Sequence, residues 1–271
     1  MTDQDFAFIR DLLRDRCGIV LEPGKEYLVE TRLMPVARQL SLNSITELVA
    51  RLRVHADGAL RTQIVEAMMT TETSFFRDGH PFETLRQQVL PDLIERRRPE
   101  RRLAIWCAAC STGQEPYSVA LLIREHFPEL VGWDLTLLAT DVSREVLARA
   151  VEGRYSPLEV SRGLPPALLT KYFTHRAASW QLRADVRRMV KFQELNLARR
   201  WPPLPPLDLV MLRNVMIYFD VETKKVILDR VARLLRPDGY LLLGGAETTI
   251  NLVDCYRRRE HLKSGFYQLA G

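Results

Sequence analysis

Ile105-Trp-Cys-Ala-Ala-Cys-Ser-Thr-Gly-Gln-Glu-Pro-Tyr-Ser118 is the stretch on which the fold of this chain turns. It begins inside an apolar run, Leu103 to Ala109, that reads as a buried strand. The chain then passes through Ser111, Thr112 and Gly113 and enters a helix at about Gln114, where Val119, Ala120, Leu122 and Ile123 recur at helical spacing. Strand, small-residue turn and helix are how an open α/β sheet makes a ligand crevice at a strand's carboxyl end. Small residues let the backbone approach a ligand, and the helix start offers unpaired N–H groups. The stretch has a single glycine and neither G-x-G-x-x-G nor G-K-[ST], which argues against a phosphate loop. Glu115 in the first helical turn would repel a phosphate and suits a ligand that is at least partly cationic.

Outward from that stretch, two textures divide the chain. Residues 1 to about 98 read as helices only. Phe6, Ile9, Leu12 and Leu13 form one face, closed by Gly18 as a C-cap. A helix over about 26–40 carries Leu28, Val29, Leu33 and Val36, with Pro35 expected to bend or end it. Ser44 and Glu47 suggest a capping box for a third helix, and a fourth spans about Gly58 to Met69. A longer helix carries Phe82, Leu85, Val89, Leu93 and Ile94 and ends in the charged run Glu95–Arg102, which looks like an exposed connector.

From Leu103 strands and helices alternate: strands at 103–109, 135–140, 207–213, 240–244 and 265–269, helices at 114–127, 143–152 and 221–235. Alternation of this kind implies right-handed crossovers and a mostly parallel sheet, hence an α/β fold. Between the second and third strands, Ser179–Ala184 and Val190–Leu195 read as a small antiparallel excursion. Residues 171–200 hold eight Lys/Arg against two acids, Asp185 and Glu194, and account for the chain's net charge of +5.

Composition excludes several classes. With 271 residues, 46% hydrophobic and 27% charged, the chain can bury a sizeable core. No apolar run approaches the ~20 residues a membrane helix needs, and Met1–Asp5 lacks the pattern of a signal peptide, so a cytoplasmic address is expected. Four cysteines make no disulfide framework, and the five histidines show no metal-ligand spacing. The small basic excess and the lack of [DN]-P-P-[YF] argue against a nucleic-acid methyltransferase.

Asp141 stands at the carboxyl end of the second strand, where an acid in nucleoside-binding α/β folds accepts ribose hydroxyls; it could equally cap the following helix. Trp106-Cys-Ala-Ala-Cys110 leaves open a thiol–disulfide oxidoreductase using Cys107 and Cys110, against small packing cysteines. Thr70-Thr-Glu-Thr-Ser-Phe-Phe-Arg-Asp78 breaks the helices with hydroxyls, two aromatics and an arginine. Arg213-Asn-Val-Met-Ile-Tyr-Phe219 follows a strand end, where polar residues usually face the crevice.

Together these stretches resemble the chemotaxis receptor glutamate O-methyltransferases, the CheR family. The marks are T-x-x-T-x-F-F-R at 70–77, A-A-C-S-T-G-Q-E-P-Y-S at 108–118, A-T-D at 139–141, L-N-L at 195–197 and R-N-V-M-I-Y-F at 213–219. The resemblance implies an all-helical domain over 1–75, a linker helix over 76–102, and a Rossmann-like S-adenosylmethionine-dependent methyltransferase domain over 103–271. A small β-subdomain is implied at about 171–196. It implies methyl transfer to glutamate side chains on the cytoplasmic helices of chemoreceptors, with S-adenosylhomocysteine as product, no metal, no nucleic acid, no membrane insertion and a monomeric enzyme. Carried over by position, Thr71, Thr73, Arg77, Glu115, Asp141, Asn196, Leu197, Arg213 and Asn214 border the cofactor, although many relatives have asparagine where Thr71 stands. Arg77 is expected to orient the incoming carboxylate, Tyr218 to neighbour the methyl, and Phe75 and Phe76 to close the pocket. Some members grip an acidic pentapeptide at the receptor C-terminus through a glycine-containing loop of the β-subdomain. Here Thr174–Ser179 is short, and no glycine occurs from Leu164 to Asp238, so a pentapeptide-independent enzyme is expected. A non-catalytic receptor-binding adaptor is the remaining alternative.

Overall fold

The computed structural model describes residues 1–54 and 58–270, which divide into two compact units. The first comprises Met1–Thr70 with the short segments Leu197–Arg199 and Tyr218–Thr223. Its helices are α1 (Asp3–Cys17), α2 (Glu26–Gln39), α3 (Ile45–Val54) and α4 (Gly58–Met68). Thr2 and Asp5 form a reciprocal capping box at the start of α1, and Gly18 closes it in the left-handed region at φ 76°. No side chain could be added to Gly18 cheaply, because its Cβ would lie 2.6 Å from Ala198 Cβ. Pro35 does not end α2, which runs on to Gln39. Ser44 caps Glu47 N–H at 3.2 Å, but the Glu47 carboxylate reaches Asn43 N–H at 2.9 Å, one residue short of a full capping box. Ile9, Leu13, Leu33, Leu48, Leu52 and Ile64 make the sealed centre of this unit.

The second unit holds the remaining residues. It opens with α5 (His80–Thr84), a π-helical turn (Leu85–Val89) and α6 (Leu90–Arg97). The π turn has a local cause: Pro91 lacks an N–H and crowds the carbonyl four residues back, and a wider turn relieves both. Leu85, Val89 and Leu93 pack into the core of this unit. The charged run after it is not all exposed. Arg97 is buried, and its guanidinium hydrogen-bonds Asp208 and Asp238. The carboxylates lie 111 and 141 residues ahead in the chain, out of reach of local pattern.

Then follow β1 (Arg102–Ala108), α7 (Gln114–His126), β2 (Asp134–Asp141), α8 (Arg144–Glu152), β3 (Arg154–Tyr155), α9 (Pro157–Ser161) and α10 (Pro166–Tyr172). After these come β4 (Phe173–Arg176), β5 (Ser179–Leu182), α11 (Ala184–Arg187), β6 (Val190–Glu194), β7 (Leu207–Leu212), α12 (Val221–Leu234), β8 (Leu235–Leu243), β9 (Tyr256–Arg258) and β10 (Gly265–Leu269). The main sheet has the order β6-β2-β1-β7-β8-β10-β9, parallel from β6 through β8 and antiparallel at β10 and β9. β1 is the central parallel strand and is buried on both faces, hence its unbroken apolar run.

Two expectations are corrected. Val190–Glu194 is not antiparallel: it pairs parallel with β2 at the edge of the main sheet, Leu137 opposite Val190 and Asp141 opposite Glu194. The small antiparallel sheet is instead β3-β5-β4, completed by two residues, Arg154 and Tyr155, from before α9. The Pro237-Asp-Gly239 turn lies within β8, where it shifts the register against β7 between Leu207 and Leu209. No helix among the described residues is long and apolar enough to cross a membrane.

Candidate active site

The strand order reverses at β1, whose neighbours are β2 on one side and β7 on the other. A crevice forms outside the carboxyl ends at such a switch point. The turn from β1 into α7 is made by Ala109, Ser111 and Gly113, all at positive φ (55°, 50° and 91°). It is held from several sides: Cys110 N–H donates to Thr140 O at 2.9 Å, Ser111 N–H to Asp141 Oδ2 at 2.8 Å, and Tyr155 O–H to Thr112 O at 2.8 Å. A Cβ on Gly113 would sit 2.9 Å from Ala150 Cβ and 3.2 Å from the Tyr117 ring. Its smallness and its φ of 91° therefore serve the packing of α7 on α8.

Asp141 ends β2 with its carboxylate between Ser111 N–H and Ser143 N–H, the latter at 3.1 Å. Ser143, not Asp141, is the N-cap of α8. Burial raises the Asp141 carboxyl above its ordinary value, and the backbone donors at Ser143, Ser111 and Val142 oppose that rise. A carboxylate has about four acceptor sites, so these backbone donors still leave room for a further one. On the expectation that this carboxylate takes a ribose hydroxyl, Asp141→Ala should cost about 1–3 kcal/mol of S-adenosylmethionine affinity, read by calorimetric titration.

Across the switch point lies a cluster of four charged residues. Glu115, in the first turn of α7, accepts from Arg213 Nη1 at 2.8 Å, and Arg213 Nη2 reaches Asp78 at 2.8 Å and the Arg77 carbonyl at 3.1 Å. The Arg213 side chain is 1% exposed and its guanidinium lies over the Phe82 ring at 5.7 Å. Burial pushes the Glu115 carboxyl up, while Arg213 first and Arg77 more weakly pull it down. The acid expected to face a cationic ligand is thus already paired with one arginine. Arg77 itself, half-buried, spends one donor on the Glu72 carbonyl at 3.1 Å. The segment that carries it is seated by Ser118, whose hydroxyl accepts Phe76 N–H at 2.9 Å.

Other expected residues fall as follows. The Thr71 carbonyl accepts the Ser111 hydroxyl at 2.8 Å, which brings the 70–78 segment to the turn that Asp141 holds. Thr73 and Asn196 are half-buried, and the adjoining Leu195 N–H donates to Asp141 O at 2.9 Å. Asn214 adopts φ 58° at the end of β7. Leu197 and Tyr218 group with the helical unit, Leu197 buried and Tyr218 half-buried with its carbonyl accepting Val20 N–H at 2.9 Å. Phe75 is fully buried edge-on against Tyr155 and Phe173, so its ring is core rather than pocket lid, whereas Phe76 is half-buried against Phe82.

Two residues escaped the sequence reading. Asp78 stands in the sequence only as the end of a loop, yet it is the second acid on Arg213. Glu247 was passed over entirely. Its carboxylate accepts four backbone N–H groups, from Gly244 (2.7 Å), Asn214 (2.8 Å), Val215 (2.9 Å) and Met216 (2.7 Å). The one signal for it was an acid just after Gly244-Gly245, beyond a strand end.

Cys107 and Cys110 are 0% and 1% exposed, and burial raises both thiols well above their ordinary value, with Glu115 adding to each. A redox nucleophile needs an accessible thiolate, which neither offers. Cys107→Ser with Cys110→Ala should therefore leave methyl transfer within about threefold of the parent once folding is matched, since buried packing changes cost stability before chemistry; initial rates and melting curves check this.

The seven-stranded, mostly parallel sheet with its crevice at the β1 switch point is of the Rossmann-like class. Residues 71–262 match the family model described as CheR methyltransferase, SAM binding domain, and residues 4–69 match that of the CheR methyltransferase, all-alpha domain. The chain belongs to the CheR methyltransferase family. It is 42% identical over 257 residues to chemotaxis protein methyltransferase 1 of Pseudomonas aeruginosa, covering 93% of each chain. Identity is 40%, again over 93% of each chain, to chemotaxis protein methyltransferase Cher2 of Pseudomonas putida. It is 36% to chemotaxis protein methyltransferase 1 of Vibrio cholerae, covering 94% of this chain and 92% of that one. Its activity is S-adenosylmethionine-dependent methylation in chemotaxis.

Proposed function

We propose that the acceptor is a glutamate side chain of a chemoreceptor and that the product is its methyl ester. The observation that carries this reading is Arg77: its guanidinium spends one donor on the Glu72 carbonyl, its charge acts on Glu115, and its own carbonyl is held by Arg213. A planar fork with donors to spare is suited to align a carboxylate. The residues fit a sulfonium-bearing nucleoside in the same crevice. Asp141 retains lone pairs for ribose hydroxyls, and Glu115 supplies negative charge at the start of α7. Thr71 reaches Ser111 through its carbonyl, and Asn196, Arg213 and Asn214 follow the ends of β6 and β7. When bound, S-adenosylmethionine supplies an electrophilic methyl on sulfur and leaves as S-adenosylhomocysteine.

A glutamate is ionised at neutral pH and is already a nucleophile, so the chain need not provide a general base. What its residues do is hold, align and exclude water. Arg77 orients the acceptor carboxylate; Arg213 fixes Arg77 through its carbonyl and keeps Glu115 charged. Tritiated S-adenosylmethionine with receptor-bearing membranes tests the reading: base-labile methyl esters support it, and base-stable label or none refutes it. Arg77→Ala should lower the rate by about 100-fold without loss of folding, which separates an enzyme from an adaptor.

Receptor recognition is proposed to be independent of a C-terminal pentapeptide. The β4–β5 connection is only Ala177 and Ala178, Ala177 at φ 51°, which leaves no loop to embrace a peptide beside the β4 edge. The acceptor is the cytoplasmic part of the receptor, and the enzyme acts there as a monomer. Low-micromolar calorimetric binding of a free Trp- and Glu-containing pentapeptide would overturn this part.

A further inference from the structure

A cavity of about 750 Å³ lies beyond the carboxyl ends of β7 and β8, between the Arg213–Asn214 corner and the antiparallel strands β9 and β10. It sits on the opposite side of the switch point from Asp141, since β7, β8, β10 and β9 follow β1 in one direction and β2 in the other. Four charged side chains line it: Asp78, Arg213, Glu247 and Arg258. Three are already committed. Asp78 and Arg213 hold each other, Arg213 also holds Glu115, and Glu247 is filled by four backbone N–H groups. Arg258 is different. Among the described residues its guanidinium has no ion pair or hydrogen-bond partner, and its side chain is exposed on the edge strand β9. The charge left unspent along this wall is positive.

Strand geometry explains why Arg258 and not its neighbour faces the cavity. Arg258 is paired with Tyr267, which also lines the cavity, and cross-strand partners share a face. Arg257 is paired with Gln268 and points to the other side of the sheet. The floor between is open: beyond Gly245 nothing lies within 4 Å of where a Cβ would be.

We propose that Arg258 is a specificity-determining residue for the acceptor, and that the cavity receives an acidic peptide segment. The segment presents one glutamate to the Arg77 side of the crevice while a second carboxylate of the same segment meets the Arg258 guanidinium. This rests on the reading that the acceptor is a glutamate-bearing receptor segment. A carboxylate is the complement to an unpaired guanidinium, and the charge acts on capture of the acceptor rather than on the reacting atoms.

The test is initial-rate methylation of receptor-bearing membranes by the full chain, with receptor concentration varied. Arg258→Ala should raise the KM for receptor roughly three- to tenfold, with kcat and the calorimetric affinity for S-adenosylmethionine unchanged. Arg258→Glu should raise it further, and Arg258→Lys should recover part of the loss. Arg257→Ala, on the opposite face of the same strand, should leave KM where it was. Added salt should raise the KM of the parent more steeply than that of Arg258→Ala. A KM within twofold of the parent for Arg258→Glu overturns the proposal, and so does an equal shift for Arg257→Ala, which would mark a diffuse charge effect. If the parent enzyme forms no methyl esters, the acceptor reading itself fails and this inference falls with it.

Discussion

Arg213→Met should lower methyl transfer by at least about 100-fold and destabilise the larger unit by about 3–5 kcal/mol. Arg213 is buried between two acids on different segments, Glu115 on α7 and Asp78 before α5. Methionine fills much of the same volume, so the loss is electrostatic rather than a cavity. It leaves Glu115 buried without its cation, and because burial already raises that carboxyl, it takes up a proton more readily still. The Arg77 carbonyl loses its anchor at the same time, so the residue proposed to align the acceptor drifts. Combining Arg213→Met with Glu115→Gln separates the two effects. Stability should return in large part, because no buried acid is left unpaired, whereas activity should not. Denaturant melts and single-turnover rates on the three variants decide it; full recovery of activity in the double variant would remove Arg213 from the site.

Arg97→Leu acts far from the chemistry and should cost about 3–5 kcal/mol, which for a unit of this size lowers the melting temperature by roughly 10 °C. The Arg97 side chain is 6% exposed and Asp208 is 1% exposed. Asp208 also accepts Ala104 N–H at 2.8 Å, so the ion pair ties α6 and the central strand to β7. Asp238 accepts the other two guanidinium nitrogens, and these bonds hold its carboxyl below the ordinary value. A carboxyl lowered on folding adds stability that is present above about pH 4 and is lost as pH falls through the folded value. The parent should therefore lose part of its margin on acidification, and Arg97→Leu should show a flatter profile over the same range. Thermal melts in a pH series check both statements; equal slopes would place the acid sensitivity on other carboxylates.

Much of this was legible before the structure. The strand, turn and helix at 102–126 stand out because β1 is buried on both faces and α7 carries Val119, Ala120, Leu122 and Ile123 at helical spacing, so periodicity and composition agree. Asp141 was found by place alone, at the end of the next strand. What was missed is non-local. Val190–Glu194 looks the same in either sheet, since five residues carry no mark of their partner strand. Tyr256–Arg258 carries no strand pattern, because it is three residues long and two of them are arginine. The charged neighbours of Arg97 imply exposure, and its acids lie over a hundred residues away. Asp78 and Glu247 declare themselves only through what they hold.

Glu247 also bears on the order in which the crevice can assemble. The amides of Asn214, Val215 and Met216 have as their acceptor a side chain about thirty residues later, beyond α12 and β8. Until β8 has docked beside β7 that acceptor is elsewhere, and the corner that follows Arg213 has nothing to close on. The β1–α7 turn takes its partners from a comparable separation, 30 residues to Asp141 and 43 to Tyr155, but both of these precede α12 in the chain. A nascent chain that has emerged only as far as α12 would carry the nucleoside side of its crevice without the acceptor side.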